Sequence, residues 1–123
     1  MTVTVIEKLT PTFTQLGPYC QGATADALPT LSDNGVAGTW SPSTVSTSSF
    51  GTTVYTFTPN AGVCAFGTTM TIEVIEKLTP NFAQLGPYCQ YDTPGALLLT
   101  SPNGVDGTWS PSTVSTSTFG NTV

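Results

Sequence analysis

The side chains that could do chemistry in this sequence are few, and they are carboxylates, cysteines and aromatics. The chain has seven Asp and Glu residues, three cysteines and two tryptophans, but it has no histidine and no arginine. The usual general bases and the cationic groups that stabilise oxyanions are therefore missing. We expect no catalytic residues, no enzymatic activity and no cofactor.

These residues belong to a tandem repeat. The stretch Gly38–Ser48 reads GTWSPSTVSTS, and it recurs letter for letter at Gly107–Ser117. Met1–Val54 aligns without gaps on Met70–Val123, which gives a period of 69 residues. Of the 54 aligned positions 15 differ, which leaves 39 identical. A residue in one copy can therefore be judged against its counterpart in the other.

The carboxylates do not form a repeated site. Only Glu7 and its counterpart Glu76 are shared between the copies, and each stands beside a lysine. The other five face a residue without a carboxylate in the other copy: Asp26, Asp33, Glu73, Asp92 and Asp106. Calcium needs several converging oxygen ligands, and one glutamate per repeat is too few. We therefore predict no metal site and assign Glu7 and Glu76 to the solvated surface.

The cysteines predict one disulfide per repeat. Cys20 and Cys64 fall in the same repeat, Cys89 is the counterpart of Cys20, and the counterpart of Cys64 would lie beyond Val123. A Cys20–Cys64 bond would indicate an oxidising compartment, and closing a loop of this length would stabilise the unit by about 4 kcal/mol. Two buried free cysteines are the alternative. Zinc is disfavoured because there is no histidine and no Cys-x-x-Cys pair.

The tryptophans are candidates for a sugar-binding surface. Trp40 and Trp109 could each stack on a sugar ring, whereas a core tryptophan explains the same residues without a ligand. The Ser/Thr run that follows each tryptophan could present hydroxyl groups to a glycan or to ice. A polar edge strand is the alternative for that run.

Variation between the copies marks a second candidate surface. The differences concentrate in residues 22–37 against residues 91–106, where Gly22-Ala23 becomes Tyr91-Asp92. A segment that tolerates change in this way is typical of an exposed loop. If the repeats differ in ligand specificity, we expect Tyr91 and Asp92 to be candidate ligand contacts.

Alternating residues predict about seven short strands in each repeat and no helix. The clearest run is Thr53–Thr58, and Asn34-Gly35 is a strong signal for a tight turn. Gln15–Cys20 is predicted as a turn. The other predicted strands are a short one around Phe13 and residues 2–7, 25–31, 36–40, 44–48 and 69–76. Strands and turns at this spacing predict an all-β fold in the form of a β-sandwich.

The repeat frame predicts the organisation of the chain. Residues 1–8 are expected to be the last strand of a preceding repeat, and residues 9–77 one complete repeat. Residues 78–123 are expected to be a second repeat that stops before its last two strands. The missing strands would come from the rest of a longer chain or from another chain. The Glu-Lys-Leu-Thr-Pro segment is the predicted linker, stiffened by Pro11 or Pro80.

Charge excludes several classes of partner. Charged residues make up 7% of the chain, and the net charge is −5. Nucleic acid and anionic membrane surfaces both attract clustered cationic side chains, which are missing here. Membrane insertion is not expected either, because no apolar run approaches the about 20 residues that span a bilayer.

The order of motifs resembles a known class of repeat. Pro-Tyr-Cys, Asn-Gly-Val, Gly-Thr-Trp-Ser-Pro and Tyr-Thr-Phe-Thr-Pro follow one another along the chain. This order is similar to the Ig-like tandem repeats of very large surface and secreted proteins of Bacteroidota. Those proteins include gliding-motility adhesins and other substrates of type IX secretion. The resemblance implies tandem Ig-like β-sandwich repeats at an extracellular, cell-surface location.

The expected function is therefore structural and adhesive. We expect a stalk or spacer that holds a binding tip away from the cell or builds a fibre, with neighbouring repeats or other copies as partners. One alternative is a module that binds a carbohydrate or a surface through Trp40, Trp109 or the Ser/Thr run. Another is an accessory domain of a secreted enzyme, because such repeats accompany many activities.

Overall fold

The chain folds into two compact units, Met1–Lys77 and Leu78–Val123, called unit 1 and unit 2 below. The computed structural model describes all residues from Met1 to Val123. All regular structure is β, which confirms the predicted all-β class. No segment forms an apolar helix of membrane-spanning length.

Unit 1 is built on one four-stranded mixed sheet. In the order β1-β4-β3-β2, β1 pairs with β4 in parallel and the other neighbours are antiparallel. The strands are β1 (Tyr19–Cys20), β2 (Gly38–Ser41), β3 (Gly51–Pro59) and β4 (Thr68–Ile75). The long strands β3 and β4 form the centre, and the short strands β1 and β2 form the edges.

The central hairpin has one buried and one exposed face because its residues alternate. In β4, Met70, Ile72 and Val74 are buried while the residues between them are exposed. In β3, Tyr55 and Phe57 are buried in the same way. Threonines fill most of the exposed positions, where their branched side chains favour an extended backbone. The alternation predicted for Thr53–Thr58 therefore places one face of this strand in the core.

An aromatic cluster forms the core under this sheet. Phe57 is fully buried, and its ring centroid lies 4.7 Å from that of Phe13 and 5.2 Å from that of Trp40. Phe13 also packs on Trp40 at 4.9 Å. The other fully buried side chains are Val36 and Ile72. The cluster thus joins β2 and the central hairpin to the loop that precedes β1.

Several predicted strands form no ladder. The segment around Phe13 and residues 2–7, 25–31 and 44–48 contain at most isolated bridges. Side chains, rather than a partner strand, donate hydrogen bonds to carbonyls at the end of residues 44–48 and just before the segment around Phe13. Gln21 Nε2 donates to the carbonyl of Ser48 at 3.0 Å, and Asn34 Nδ2 donates to that of Thr10 at 2.8 Å. Both bonds join residues more than twenty positions apart, and each satisfies a single carbonyl without forming a ladder.

Tyr19–Cys20, which the sequence indicates as part of a turn, forms β1 instead. It pairs with Val74 and Ile75 at the end of β4. This pairing joins residues more than fifty positions apart in the chain, so local turn signals cannot indicate it. The Asn34-Gly35 turn does form, and the backbone bond from Ser32 N–H to the Val36 carbonyl (2.9 Å) closes it.

Unit 2 repeats the local bonds of unit 1 without its strands. Asn103 Nδ2 donates to the Thr79 carbonyl at 2.8 Å, as Asn34 does to Thr10 in unit 1. The bridge between Thr100 and Asp106 is its only pairing. Residues 78–123 include no counterparts of residues 55–75, so the segments matching β1 and β2 have no partner strand. A strand needs such a partner for its backbone groups.

Candidate functional site

The structure brings together no group of three or more histidine, cysteine, aspartate or glutamate side chains that could hold a metal ion. Two carboxylates are engaged within their own loops. Asp26 accepts a hydrogen bond from the Tyr19 hydroxyl at 2.9 Å, and Asp106 accepts one from the Thr100 hydroxyl at 2.6 Å. These contacts give both carboxylates a role in loop structure.

The predicted Cys20–Cys64 disulfide is not formed, and all three cysteines are free and exposed. Cys20 pairs with Ile75 at the last residue of β4, whereas Cys64 precedes the first residue of that strand. The ends of an eight-residue strand lie roughly 23 Å apart. A disulfide needs Cα atoms within about 7 Å. The alternative of buried free cysteines is wrong as well, because the thiols are exposed.

Trp40 is a core residue. Its side chain is 6% exposed and is packed between Phe13 and Phe57. Its indole Nε1 donates to the carbonyl of Pro29 at 2.8 Å, so the polar edge of the ring is also occupied. A sugar cannot stack on a ring covered in this way, which removes Trp40 from the candidate ligand contacts.

Trp109 has the same local bonds but a different environment. Its Nε1 donates to the carbonyl of Leu98 at 2.7 Å, and its ring packs on Phe82 at 4.8 Å. It is nevertheless 38% exposed, compared with 6% for Trp40. The third ring of the cluster, Phe57 in unit 1, has no counterpart in unit 2. Trp109 therefore remains a candidate ligand contact.

An open groove of about 280 Å³ runs beside Trp109. Most of its lining is apolar, and Asp106 is its only ionisable residue. It is lined by Pro80, Phe82, Leu99, Val105, Asp106, Gly107, Thr108 and Trp109. A largely apolar groove beside an aromatic ring can accept the apolar face of a sugar or an extended peptide segment.

Two equivalent glycines show what fills this space in unit 1. A β-carbon added at Gly38 would lie 2.5 Å from Cζ of Phe57. A β-carbon added at Gly107 would meet no atom within 4 Å. The ring of Phe57 thus occupies the position in unit 1 that corresponds to the groove in unit 2. The groove was not predicted from the sequence, although the alignment of the two copies indicates it, because residues 78–123 include no counterpart of Phe57.

Tyr91 and Asp92 lie in a turn and do not line the groove. Tyr91 is exposed and has a φ of 68°, where its counterpart Gly22 has a φ of 79°. A non-glycine residue in this left-handed region costs about 1 kcal/mol. Asp92 Oδ2 accepts the backbone N–H of Cys89 at 3.0 Å, which ties its carboxylate to the turn. Tyr91 is thus exposed to solvent, but it does not line the groove beside Trp109.

The hydroxyls at the end of each Ser/Thr run, Ser46–Ser48 and Ser115–Ser117, are bonded within their own unit. Ser46 Oγ and Ser48 Oγ lie 3.0 Å apart, and Ser115 Oγ and Ser117 Oγ repeat this contact at 3.0 Å. The Thr47 hydroxyl donates to the carbonyl of Ala23. Because these last three hydroxyls bond to one another and to the backbone, they are not free to bind a ligand in a row.

The chain matches no protein-family model, no curated protein and no solved structure.

Proposed function

We propose that this chain is a structural segment of an extracellular repetitive surface protein or fibre. In this proposal Ig-like β-sandwich repeats with a period of 69 residues form a stalk or spacer that presents a binding tip. Neighbouring repeats or other copies are its partners. The resemblance to gliding-motility adhesins and other type IX secretion substrates supports a cell-surface location. The proposal includes no enzymatic activity.

The observation that carries this proposal is the reuse of one scaffold along the chain. Phe13 packs on Trp40, and Phe82 packs on Trp109, with centroid distances of 4.9 and 4.8 Å. The indole N–H of each tryptophan donates to the carbonyl eleven residues earlier. Chains that repeat a scaffold and vary its loops are typical of extended proteins whose units stack along a line.

The hydrogen bonds of unit 1 also suit a chain under tension. β1, near the start of the unit, runs parallel to β4 at its end. Pulling the two ends of the unit in opposite directions would slide these strands past each other, so that their bonds share the load. The bond from Gln21 N–H to Ile75 O (2.8 Å) continues the β1–β4 pairing. A separate parallel bridge between Leu9 and Ala65 adds two bonds, Leu9 N–H to Cys64 O (3.0 Å) and Phe66 N–H to Leu9 O (2.7 Å).

Stretching the whole chain between its ends by single-molecule force spectroscopy tests the structural role. We expect one cooperative unfolding event for unit 1, releasing roughly 20 nm of chain at about 3.5 Å per residue. Leu9→Pro should lower the unfolding force, because proline has no N–H to donate to Cys64. The lost bond contributes about 1 kcal/mol.

Leu78→Pro is the matched control. Leu9 and Leu78 lie in the same Glu-Lys-Leu-Thr-Pro sequence, and the Leu78 N–H makes no backbone hydrogen bond. Leu78→Pro should therefore leave the unfolding force of unit 1 unchanged. Equal forces for Leu9→Pro and the wild type, or gradual extension without a force peak, would contradict the mechanical role.

A second candidate function is binding of a carbohydrate or a surface. The exposed ring of Trp109 beside the largely apolar groove favours it. No observation favours the accessory domain of a secreted enzyme.

Titration with neutral oligosaccharides, followed by tryptophan fluorescence, distinguishes the two functions. If the groove binds sugars, a saturable change in the emission of Trp109 is expected. Trp109→Ala lacks this reporter, so its affinity is measured by calorimetry and should be lower than that of the wild type. Base or ring stacking on an exposed aromatic contributes roughly 1–3 kcal/mol, so the loss should be at least fivefold in affinity. A flat titration of the wild type would exclude binding and leave the structural role.

A further inference from the structure

One asparagine side chain in unit 1 fastens the end of the predicted linker to the rest of the unit. Asn34 Nδ2 donates to the carbonyl of Thr10 at 2.8 Å, and Asn34 Oδ1 accepts the N–H of Thr12 at 3.2 Å. Pro11 lies between these two residues and has no N–H of its own. The side-chain amide therefore pairs with the linker backbone on both sides of the proline, as a neighbouring strand would.

Unit 2 contains the same arrangement. Asn103 Nδ2 donates to the carbonyl of Thr79 at 2.8 Å, and Asn103 Oδ1 accepts the N–H of Asn81 at 3.4 Å. Pro80 again lies between the two bonded residues. We call each set of three bonded residues an amide clamp: Thr10, Thr12 and Asn34 in unit 1, and Thr79, Asn81 and Asn103 in unit 2.

A buried serine holds each clamp asparagine in place. The Ser32 hydroxyl donates to Asn34 Oδ1 at 2.6 Å and accepts the N–H of Val36 at 2.8 Å. Ser101, also buried, makes the same two bonds in unit 2, at 2.6 and 3.0 Å. The amide of Asn34 thus uses its oxygen twice and its nitrogen once, so a chemical change in this amide acts directly on the linker.

Each clamp asparagine is followed by a glycine. Gly35 and Gly104 have φ values of 86° and 82°, a left-handed conformation that glycine adopts without strain. Asparagine is a thermolabile residue. It loses its side-chain amide most readily before glycine, because the backbone nitrogen of a residue without a β-carbon can approach the asparagine Cγ. The other three asparagines precede larger residues: Asn60, Asn81 and Asn121.

We propose that Asn34 and Asn103 are modification sites, at which hydrolysis of the side-chain amide releases the linker from its unit. The Gly35 nitrogen attacks Cγ of Asn34 and loses its proton to water. The side-chain nitrogen takes up a proton and leaves as ammonia, and a cyclic imide remains. Water then opens the ring to aspartate or to its isomer. The net reaction converts an amide and one water into a carboxylate and an ammonium ion.

The product carboxylate cannot close the clamp. One of its oxygens can still accept hydrogen bonds from Ser32 and Thr12. The other would face the Thr10 carbonyl, at the position from which Asn34 Nδ2 donates. Two acceptors at this distance repel each other, and the Thr10 carbonyl loses its donor. Deamidation therefore replaces an attraction between the turn and the linker with a repulsion.

The two clamps differ in one backbone bond. In unit 1, the Asp33 N–H donates to the carbonyl of Thr12 at 2.8 Å, which ties the linker to the turn a third time. The counterpart of Asp33 is Pro102, which has no N–H. We therefore expect the release of the linker to be more complete in unit 2.

The closed clamp slows the reaction that would open it. The Gly35 N–H donates to the Ser32 carbonyl at 3.0 Å, and the Gly104 N–H donates to that of Ser101 at 2.8 Å. The attack on Cγ requires this bond to break and the asparagine side chain to leave the linker. A unit that has opened should therefore be modified faster than a folded one.

The inference deepens the proposed structural role, and only its purpose rests on that role. In a stalk under tension, a unit that opens often would lose its amide first, and its linker would then stay released. The tests below measure the linker and the amide alone. They can fail while unit 1 keeps its resistance to force, so the two results are distinguishable.

Amide hydrogen exchange of the full chain, followed by NMR, tests the clamp. Asn34→Asp places the reaction product in unit 1. At neutral pH we expect the Thr12 N–H of this variant to exchange about tenfold faster than in the wild type, because the clamp bonds are weakened. The amides of β3 and β4 should exchange at wild-type rates, which shows that unit 1 stays folded.

The pH dependence separates release of the clamp from a general structural defect. Below the ordinary aspartate pKa of about 3.9, the carboxyl of Asn34→Asp carries an O–H that can donate to the Thr10 carbonyl as the amide does. Thr12 should then exchange as in the wild type at the same pH. Asp33 is the only titratable residue in segments 10–12 and 32–36, and both proteins contain it. Wild-type exchange at neutral pH, or a difference that does not change with pH, would overturn the proposal.

Asn60→Asp is the matched control. Asn60 is exposed, lies directly after β3 and takes no part in the clamp. The same exchange of an amide for a carboxylate at this position should leave the Thr12 N–H at its wild-type rate. An equal acceleration by both variants would mean that added charge, rather than the clamp, controls the linker, and it would overturn the proposal.

Mass spectrometry of the aged full chain tests the modification itself. At mildly alkaline pH, aspartate and its isomer should accumulate at Asn34 and Asn103 and not at Asn60. Urea should accelerate the reaction at both sites, because it opens the clamps. The aged chain should show the fast Thr12 exchange of Asn34→Asp. Amides that persist at both sites in urea, or a modified chain that keeps wild-type Thr12 exchange, would overturn the proposal.

Discussion

Replacing Phe57 with alanine should remove most of the stability of unit 1. The side chain is fully buried and contacts the rings of Phe13 and Trp40, with centroids 4.7 and 5.2 Å away. Truncating a buried phenylalanine costs about 3–5 kcal/mol, since the ring loses its burial and leaves a cavity. Whole domains are stabilised by only about 5–15 kcal/mol. Urea unfolding followed by tryptophan fluorescence measures the change.

Phe50→Ala is the control within the same unit. Phe50 is exposed, so its truncation should change the free energy of unfolding by less than about 0.5 kcal/mol. The Phe57→Ala variant should also expose Trp40, shifting its emission to longer wavelength. A loss below about 1 kcal/mol for Phe57→Ala would mean that the aromatic cluster is not the core of unit 1.

Gly38→Ala is the second change with a large expected effect. The new β-carbon would lie 2.5 Å from Cζ of Phe57 and would also overlap the backbone carbonyl of Thr58. Neither atom can move freely, because Phe57 is fully buried and Thr58 pairs with Thr39 across the sheet. Overpacking of this kind costs about 1–3 kcal/mol. The midpoint of thermal unfolding of unit 1 should fall accordingly.

Gly107→Ala makes the same change in the same eleven-residue sequence. A β-carbon at Gly107 would meet no atom within 4 Å, so the expected change in stability is less than about 0.5 kcal/mol. Because the local sequence is the same, any difference in stability between Gly38→Ala and Gly107→Ala must come from the tertiary environment. Equal destabilisation by both substitutions would contradict the β2–β3 packing described for unit 1.

The main elements could be predicted from the sequence because they depend on local patterns. Alternation over Thr53–Thr58 and over residues 69–76 indicates β3 and β4, because each strand exposes every second side chain. Asn34-Gly35 indicates its turn, because that turn depends on the conformations of the two residues themselves. These features need only local information. The predicted strands over residues 25–31 and 44–48 fail because extended residues also need a partner backbone.

The candidate site was less predictable. Trp40 and Trp109 share an identical local sequence, yet one is covered and the other borders a groove. The difference depends on Phe57, which lies seventeen positions after Trp40 and has no counterpart after Trp109. Tyr91 and Asp92 were indicated by variation between the copies, but variation cannot show that they lie in a turn away from the groove.

The sequence by itself determined the all-β class, the 69-residue repeat, the turn at Asn34-Gly35 and the two alternating strands of the central hairpin. Only the tertiary structure decided which tryptophan is buried and where the cysteines lie. A Cys20–Cys64 disulfide was predicted from the number of cysteines in each repeat. In the structure the two residues lie near opposite ends of β4. Such distances depend on which distant strands pair, and strand pairing is a property of the folded chain that no local pattern contains.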